Sequence, residues 1–262
     1  MPKPIYDEAE IDKIVLGEQG KIAGTGCINV MLAHNYDPNR DDPKGWLMSE
    51  KLDGVRCYWN GKTMYTRNGN PFYAPKWWIE NLPDIALDGE LWTERDDFQK
   101  IVSIVRKQDT ENPEWKNIKF MIFDAPLVKG TFKKRLQVLE KKLAEKPNDV
   151  VRMLKQTVCD DKEHLATLMD KILGVKGEGV MLKDPESHYE GCRSFSLLKV
   201  KKFDDAEATV IAHHKGTGRC ANMCGAIQVR EKDGTEFKIG SGFDDAQRRK
   251  PPKIGSVVTF KF

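Results

Sequence analysis

The sequence predicts an α+β domain followed by a small domain built from strands, and three observations carry that prediction. Before residue 202, apolar residues recur both in short runs and at spacings of three and four, the patterns of buried strands and amphipathic helices. After it, strand-like runs separated by turn residues are all that remain. The 262 residues accommodate two such units at roughly 100–200 residues per domain. The expected organisation is a loosely attached lead-in over 1–28, a first domain over 29–202 and a second over 203–262. With 39% hydrophobic and 32% charged residues, the composition is that of a globular protein with a heavily solvated surface, which excludes disorder throughout. No stretch reaches the roughly 18 unbroken apolar residues of a membrane-spanning helix.

The elements follow in order. Residues 1–28 lack periodicity and hold Gly17, Gly20, Gly24 and Gly26; their acidic start is unlike a signal peptide, so an intracellular location, cytoplasmic or nuclear and compatible with a viral source, is expected. Leu47 and Met48 open a strand-like approach to Lys51. Asn60-Gly61 then reads as a two-residue hairpin turn between Val55–Trp59 and 62–67, which sets Trp59 against Lys62 and Arg67 opposite Gly54. Phe98, Ile101, Val102 and Val105 mark an amphipathic helix, as do Leu165, Leu168, Met169 and Ile172. Residues 119–123 and 179–182 are apolar runs suited to buried strands.

Past residue 202, segments 207–212, 226–230, 237–239 and 257–262 are strand-like, Asp233-Gly234 is a second hairpin turn, and no clear helix is expected. This pattern fits a small barrel of the oligonucleotide-binding (OB) type with a marginal strand count. Six cysteines, at 27, 57, 159, 192, 220 and 224, are too sparse for a disulfide framework and read as free thiols in a reducing compartment. His213, His214, Cys220 and Cys224 could in principle close a zinc site, but the Cys-x3-Cys spacing is loose, the histidines are adjacent and Gly216, Gly218 and Gly225 suggest a mobile loop, so two small buried thiols are the better reading.

Candidate chemistry centres on Lys51-Leu52-Asp53-Gly54. A lysine attacks phosphorus only as the neutral amine, and crowding by other cations favours that form. Arg56 and Arg67 would come near through the hairpin, and Lys199 and Lys201 alternate in a strand so that both point to one face. Glu90 and Glu178 stand at strand ends beside glycines, where carboxylates suit Mg2+, with Mn2+ as a substitute. Phe123 is a core aromatic or a base-stacking surface. A net charge of +3 does not announce nucleic-acid binding by itself, so any basic surface is local; Arg248, Arg249, Lys250 and Lys253 form such a run.

Taken in order, Lys51-Leu52-Asp53-Gly54-Val55-Arg56, Thr66-Arg67-Asn68-Gly69, Asp88-Gly89-Glu90, Phe123-Asp124, Glu178-Gly179-Val180-Met181 and Leu198-Lys199-Val200-Lys201 resemble the motifs of covalent nucleotidyltransferases. The likeness is strongest to the minimal ATP-dependent DNA ligases of bacteria and large DNA viruses. It extends through Phe203-Asp204-Asp205-Ala206-Glu207-Ala208-Thr209 and Gly240-Ser241-Gly242-Phe243-Asp244. The resemblance implies a nucleotidyltransferase (ATP-grasp-like ligase) domain of antiparallel sheets with flanking helices, followed by an OB domain. It implies that Lys51 takes AMP from ATP and passes it to the 5′-phosphate of a nick in duplex DNA, which the adjoining 3′-hydroxyl then seals. It further implies that Glu50, Arg56, Arg67, Glu90, Phe123, Lys199 and Lys201 contact the nucleotide or nick, and that Glu178, with Glu90, holds the metal. The enzyme would work as a monomer.

Such ligases continue past the strand at 257–262 with a further basic and aromatic segment that completes the barrel, so either this sequence is truncated or its barrel closes differently, and the first nucleotidylation step is the one this departure would affect. RNA ligases and GTP-using capping guanylyltransferases share the lysine motif, but Arg56 and the run from Phe203 to Thr209 favour DNA. An inactive nucleic-acid-binding module is disfavoured by the joint presence of Lys51, Glu178, Lys199 and Lys201.

Overall fold

The computed structural model describes residues 29–202 and 205–261, so the expected lead-in, the start of the run at Phe203 and Asp204, and Phe262 lie outside the described residues. The chain divides into two compact units, one ending at Lys201 and one beginning at Lys202.

Two five-stranded sheets build the first unit. One has the order β1-β10-β9-β2-β8, from Leu32–Asn35 (β1), Leu47–Lys51 (β2), Thr157–Val158 (β8), Gly179–Lys183 (β9) and Arg193–Lys201 (β10). The other has the order β4-β3-β5-β6-β7, from Val55–Trp59 (β3), Met64–Tyr65 (β4), Leu87–Trp92 (β5), Lys119–Asp124 (β6) and Val151–Met153 (β7). Pairing is antiparallel except at two sheet edges, where β1 joins β10 and β7 joins β6 in parallel. Four helices accompany them: α1 (Lys76–Ile79), α2 (Phe98–Val105), α3 (Phe132–Glu145) and α4 (Lys162–Gly174).

Helix α2 buries Ile101, Ile104 and Val105 as its spacing predicts, while Phe98 stays exposed. The Asp161 carboxylate caps α4 by accepting from the His164 amide, and Leu165 and Ile172 anchor it on the first sheet. Helix α3 is absent from the sequence-based expectation. Its apolar residues Phe132, Leu136, Leu139 and Leu143 do follow helical spacing, but the five lysines and arginines interspersed among them obscure the pattern.

The hairpin register also differs from expectation. Trp59 pairs with Met64, not Lys62, because Asn60 opens a four-residue turn: its carboxamide oxygen accepts from the Lys62 and Thr63 amides, and Gly61 takes φ of 93°. Strand β4 then ends at Tyr65, and Arg67 lies in the following turn, where the Gly69 amide donates to the Thr66 carbonyl at 2.9 Å.

In the second unit, β11 (Asp205–Lys215), β12 (Cys224–Arg230), β13 (Glu236–Ile239) and β14 (Val257–Lys261) form one sheet of order β13-β12-β11-β14. Ala208, Val210, Ile227 and Val229 form its core, with the Phe237 and Phe260 rings edge-on at 5.0 Å. The expected barrel is not closed: β13 and β14 are the two edges of an open sheet among the described residues. A short helix, α5 (Asp245–Arg249), corrects the expectation that this unit has none; Asp244 and Gln247 start it with a reciprocal capping box. His213 and His214 are used separately, on the Pro252 carbonyl at 2.7 Å and the Gln228 side chain at 3.0 Å. No helix among the described residues is long and apolar enough to cross a membrane.

Candidate active site

Strand register assembles the site. Lys51, Gly179 and Lys201 form one row across β2, β9 and β10, and Ser49, Met181 and Lys199 form the next. The intervening residues Met48, Val180, Leu182 and Leu198 are buried with Leu165 and Ile172 of α4. Since side chains alternate across a strand, fixing these apolar residues against α4 sends Lys51, Lys199 and Lys201 to the opposite face.

The second sheet repeats the device. Cys57, Trp59, Leu87, Leu91, Phe120 and Ile122 enter the large core, which leaves Arg56, Asp88, Glu90, Met121 and Phe123 on the other face. Between these faces lies a cavity of about 290 Å³. Glu50, Lys51, Arg56, Arg67, Glu90, Phe123 and Lys199 all line it, so seven of the residues singled out from sequence come together. Lys201 stands in the Lys51 row, and the Glu178 carboxylate accepts directly from Lys51 Nζ.

The electrostatics follow from burial and crowding. Loss of solvent, then the Lys201, Lys51 and Arg193 charges, lower the Lys199 pKa. Burial pushes the Glu90 carboxyl up to about 8 despite the nearby Arg56 and Lys51 cations. Burial and the Glu178 charge raise Asp53. Arg56 is fixed by a bidentate pair to Asp88, with both N–O distances 2.6 Å, and its guanidinium covers Phe123 at 4.8 Å from the ring centre. One face of Phe123 is thereby taken. Glu50 lines the cavity, but its carboxylate is held by both Nε and Nη2 of Arg95 at 2.7 Å, which leaves its backbone for a ligand.

Several residues of the site were not read from the sequence. Asp88 shares a strand face with Glu90 and accepts from the Tyr189 hydroxyl at 2.7 Å. Beneath the cavity, fully buried Asp124 accepts from Arg135 at 2.6 and 3.0 Å and from Lys183. The period-two pattern of 119–124 and 179–183 carried a signal for Asp124 and Lys183, because each continues a strand already expected. Nothing local marked Tyr189, which lies in a loop.

A divalent cation fits these residues in one manner. No group of three or more His, Cys, Asp or Glu side chains is gathered among the described residues. Glu178 and Glu90 offer hard oxygens near the lysines, the donor set of Mg2+ that is completed by substrate phosphates and water.

In the second unit the expected basic run is split by the structure. Arg248 donates to the carbonyls of Cys224 at 3.0 Å, Gly225 at 2.9 Å and Gly240 at 2.8 Å, so it braces the sheet. Arg249, Lys250 and Lys253 are exposed.

Residues 30–201 match the family described as ATP dependent DNA ligase domain, and residues 215–262 match a DNA ligase OB-like domain. A DNA ligase of Haemophilus influenzae is 42% identical over 234 residues, spanning 89% of this chain and 85% of that protein. A structure from a structure–function study of DNA binding by Lig E DNA ligases superposes with a TM-score of 0.80 at 37% identity, covering 89% of this chain and 91% of that one. The Chlorella virus DNA ligase-adenylate superposes with a TM-score of 0.58 at 26% identity, covering 89% and 94%.

Proposed function

The chain belongs to the ATP-dependent DNA ligases, and from that premise we propose that Lys51 is the residue that carries AMP between ATP and a nick in duplex DNA. The observation that supports this most is the row Lys51–Gly179–Lys201 with Glu178 on Lys51 Nζ and Lys199 one row away. Neutral Lys51 Nζ attacks the α-phosphorus, a P–N bond forms, the bond to pyrophosphate breaks, and the Nζ proton has an acceptor in Glu178. Lys199 and Lys201 offset charge on the α-phosphate as pyrophosphate leaves. An oxygen of the nick's 5′-phosphate then displaces Lys51 from the AMP phosphorus, and the amine regains a proton. Attack of the 3′-hydroxyl on the 5′-phosphorus finally expels AMP and joins the strand.

The other residues bind and orient. Phe123 offers its remaining face to the adenine, the Glu50 backbone lies along the base, and Arg67 reaches the phosphates. Arg56, pinned by Asp88, contacts the nucleotide sugar or the nick terminus with Glu90. Glu178 and Glu90 would hold Mg2+, or Mn2+ in its place, which when bound offsets phosphate charge in each transfer. Arg249, Lys250 and Lys253 contact the phosphate backbone of the duplex. The enzyme acts as a monomer in this reading, and the free thiols of Cys57, Cys159, Cys192, Cys220 and Cys224 suit a reducing, intracellular compartment.

Intact mass after incubation with Mg2+ and either ATP or GTP tests the reading. A single AMP adduct is expected, mapped to Lys51 by peptide sequencing, absent from Lys51→Ala and discharged when nicked DNA is added. A GMP adduct would indicate capping chemistry, sealing of only all-RNA nicks would indicate an RNA ligase, and label persisting on Lys51→Ala would place the nucleophile elsewhere.

A further inference from the structure

The loop after β5, Thr93–Asp97, ties the two walls of the cavity together at the Lys51 end. It leaves the strand that carries Glu90 and reaches the other sheet through two ion pairs made by consecutive residues. Arg95 grips the Glu50 carboxylate with two bonds of 2.7 Å, immediately before Lys51 in sequence. The Asp96 carboxylate accepts from Lys176 Nζ at 2.7 Å, two residues before Glu178. The loop is closed on itself by the Thr93 hydroxyl, which donates to Asp97 at 2.9 Å.

Backbone geometry singles out the same contact. Among the described residues, Asp96 and Lys176, each at φ of 61°, are the non-glycine residues with positive φ, and they are each other's partners. Such conformations cost free energy and persist where surrounding contacts enforce them. Packing is equally tight on the Glu50 side: a Cβ at Gly177 would meet Glu50 Oε1 at 3.0 Å and collide with the Ile172 side chain. The carboxylate that Arg95 holds therefore rests against the turn that delivers Glu178.

We infer that Arg95, with Asp96 in support, is a positioning residue that fixes the Lys51–Glu178 wall against the Glu90 wall. Arg95 does not itself line the cavity. Its bidentate hold sets the course of β2 into Lys51, and the Asp96–Lys176 pair sets the turn into Glu178, so both proposed metal-binding carboxylates and the nucleophile keep a fixed separation. A misplacement of about 1 Å among reacting groups can cost on the order of 100-fold in rate, which gives a surface loop leverage over the chemistry. This inference rests on the assignment of Lys51 and Glu178 above.

Single-turnover AMP labelling of the full chain at saturating ATP tests it. Arg95→Ala is expected to lower the labelling rate at least tenfold, with half-saturating ATP within twofold of the parent and an unchanged thermal midpoint. Sealing of a pre-adenylylated nick should fall in parallel, since the same walls serve that step. Arg95→Lys, which retains the charge but not the fork, should recover part of the rate, and the exchange Asp96→Lys with Lys176→Asp should recover more than either single change. An unchanged labelling rate, a rise in half-saturating ATP alone, or a lowered thermal midpoint with normal chemistry would each overturn the inference. Parent protein lacking label at Lys51 would instead overturn the assignment of the nucleophile.

Discussion

At the residue scale, the two walls of the site are joined by one carboxylate that never meets solvent. Asp124 and the Arg135 side chain are both 0% exposed, and Lys183 donates to the same carboxylate from the opposite sheet. Burial alone would raise the Asp124 pKa, but the Lys183 charge and the Arg135 hydrogen bond outweigh it and hold the group below its ordinary value of 3.8. A carboxyl depressed by folding stabilises the folded state above its unfolded pKa and loses that contribution as pH falls through the folded pKa. Asp124→Asn leaves two buried cations without an anion, for which a cost of about 3–5 kcal/mol is expected near neutral pH. Urea melts of parent and variant check this. The difference should be full at neutral pH and shrink as the parent is titrated below the ordinary carboxylate range.

At the scale of elements, strand pairing decides which side chains meet. Gly179 occupies the middle of the row joining Lys51 to Lys201, and an added Cβ there would fall on the Val200 carbonyl oxygen. Backbone must move to accept it, and the strands that must part are those bearing the nucleophile and its partner cation. Gly179→Ala should therefore depress Lys51 labelling by more than tenfold while costing only about 1–3 kcal/mol of stability; equal loss of folding and labelling in a paired melt and mass assay would argue against this. The alternation of Leu198, Lys199, Val200 and Lys201 was legible in the sequence for the same reason, because a period of two states which face is buried. The turn at Asn60 was not, since Asn-Gly permits a two-residue turn, and the side-chain bonds that select the longer one show only once Thr63 is placed. Helix α3 hid behind its charged faces. Motifs placed Lys51, Glu178 and Glu90, but the ion pairs that orient them, Arg56–Asp88 and Arg95–Glu50, join residues 32 and 45 positions apart, beyond any local pattern.

At the scale of the whole molecule, a net charge of +3 is small for a protein that works on a polyanion, so affinity for DNA must come from where the cations are. The structure subtracts Arg248, whose guanidinium is committed to the carbonyls of Cys224, Gly225 and Gly240. It leaves Arg249, Lys250 and Lys253 exposed around the end of α5 and the loop into β14. Each phosphate contact releases counterions and adds about 0.9 to the slope of log affinity against log salt. Replacing all three by alanine should weaken binding to a nicked duplex and flatten that slope by about 2 to 3, read from anisotropy titrations at several salt concentrations. Arg248→Ala should behave oppositely, lowering the thermal midpoint because the Cys224 and Gly225 carbonyls, both partly buried, lose their donor, while leaving the slope as in the parent. A flattened slope for Arg248→Ala would make that side chain a phosphate contact, and an unchanged one for the triple variant would exclude Arg249, Lys250 and Lys253 from the DNA interface.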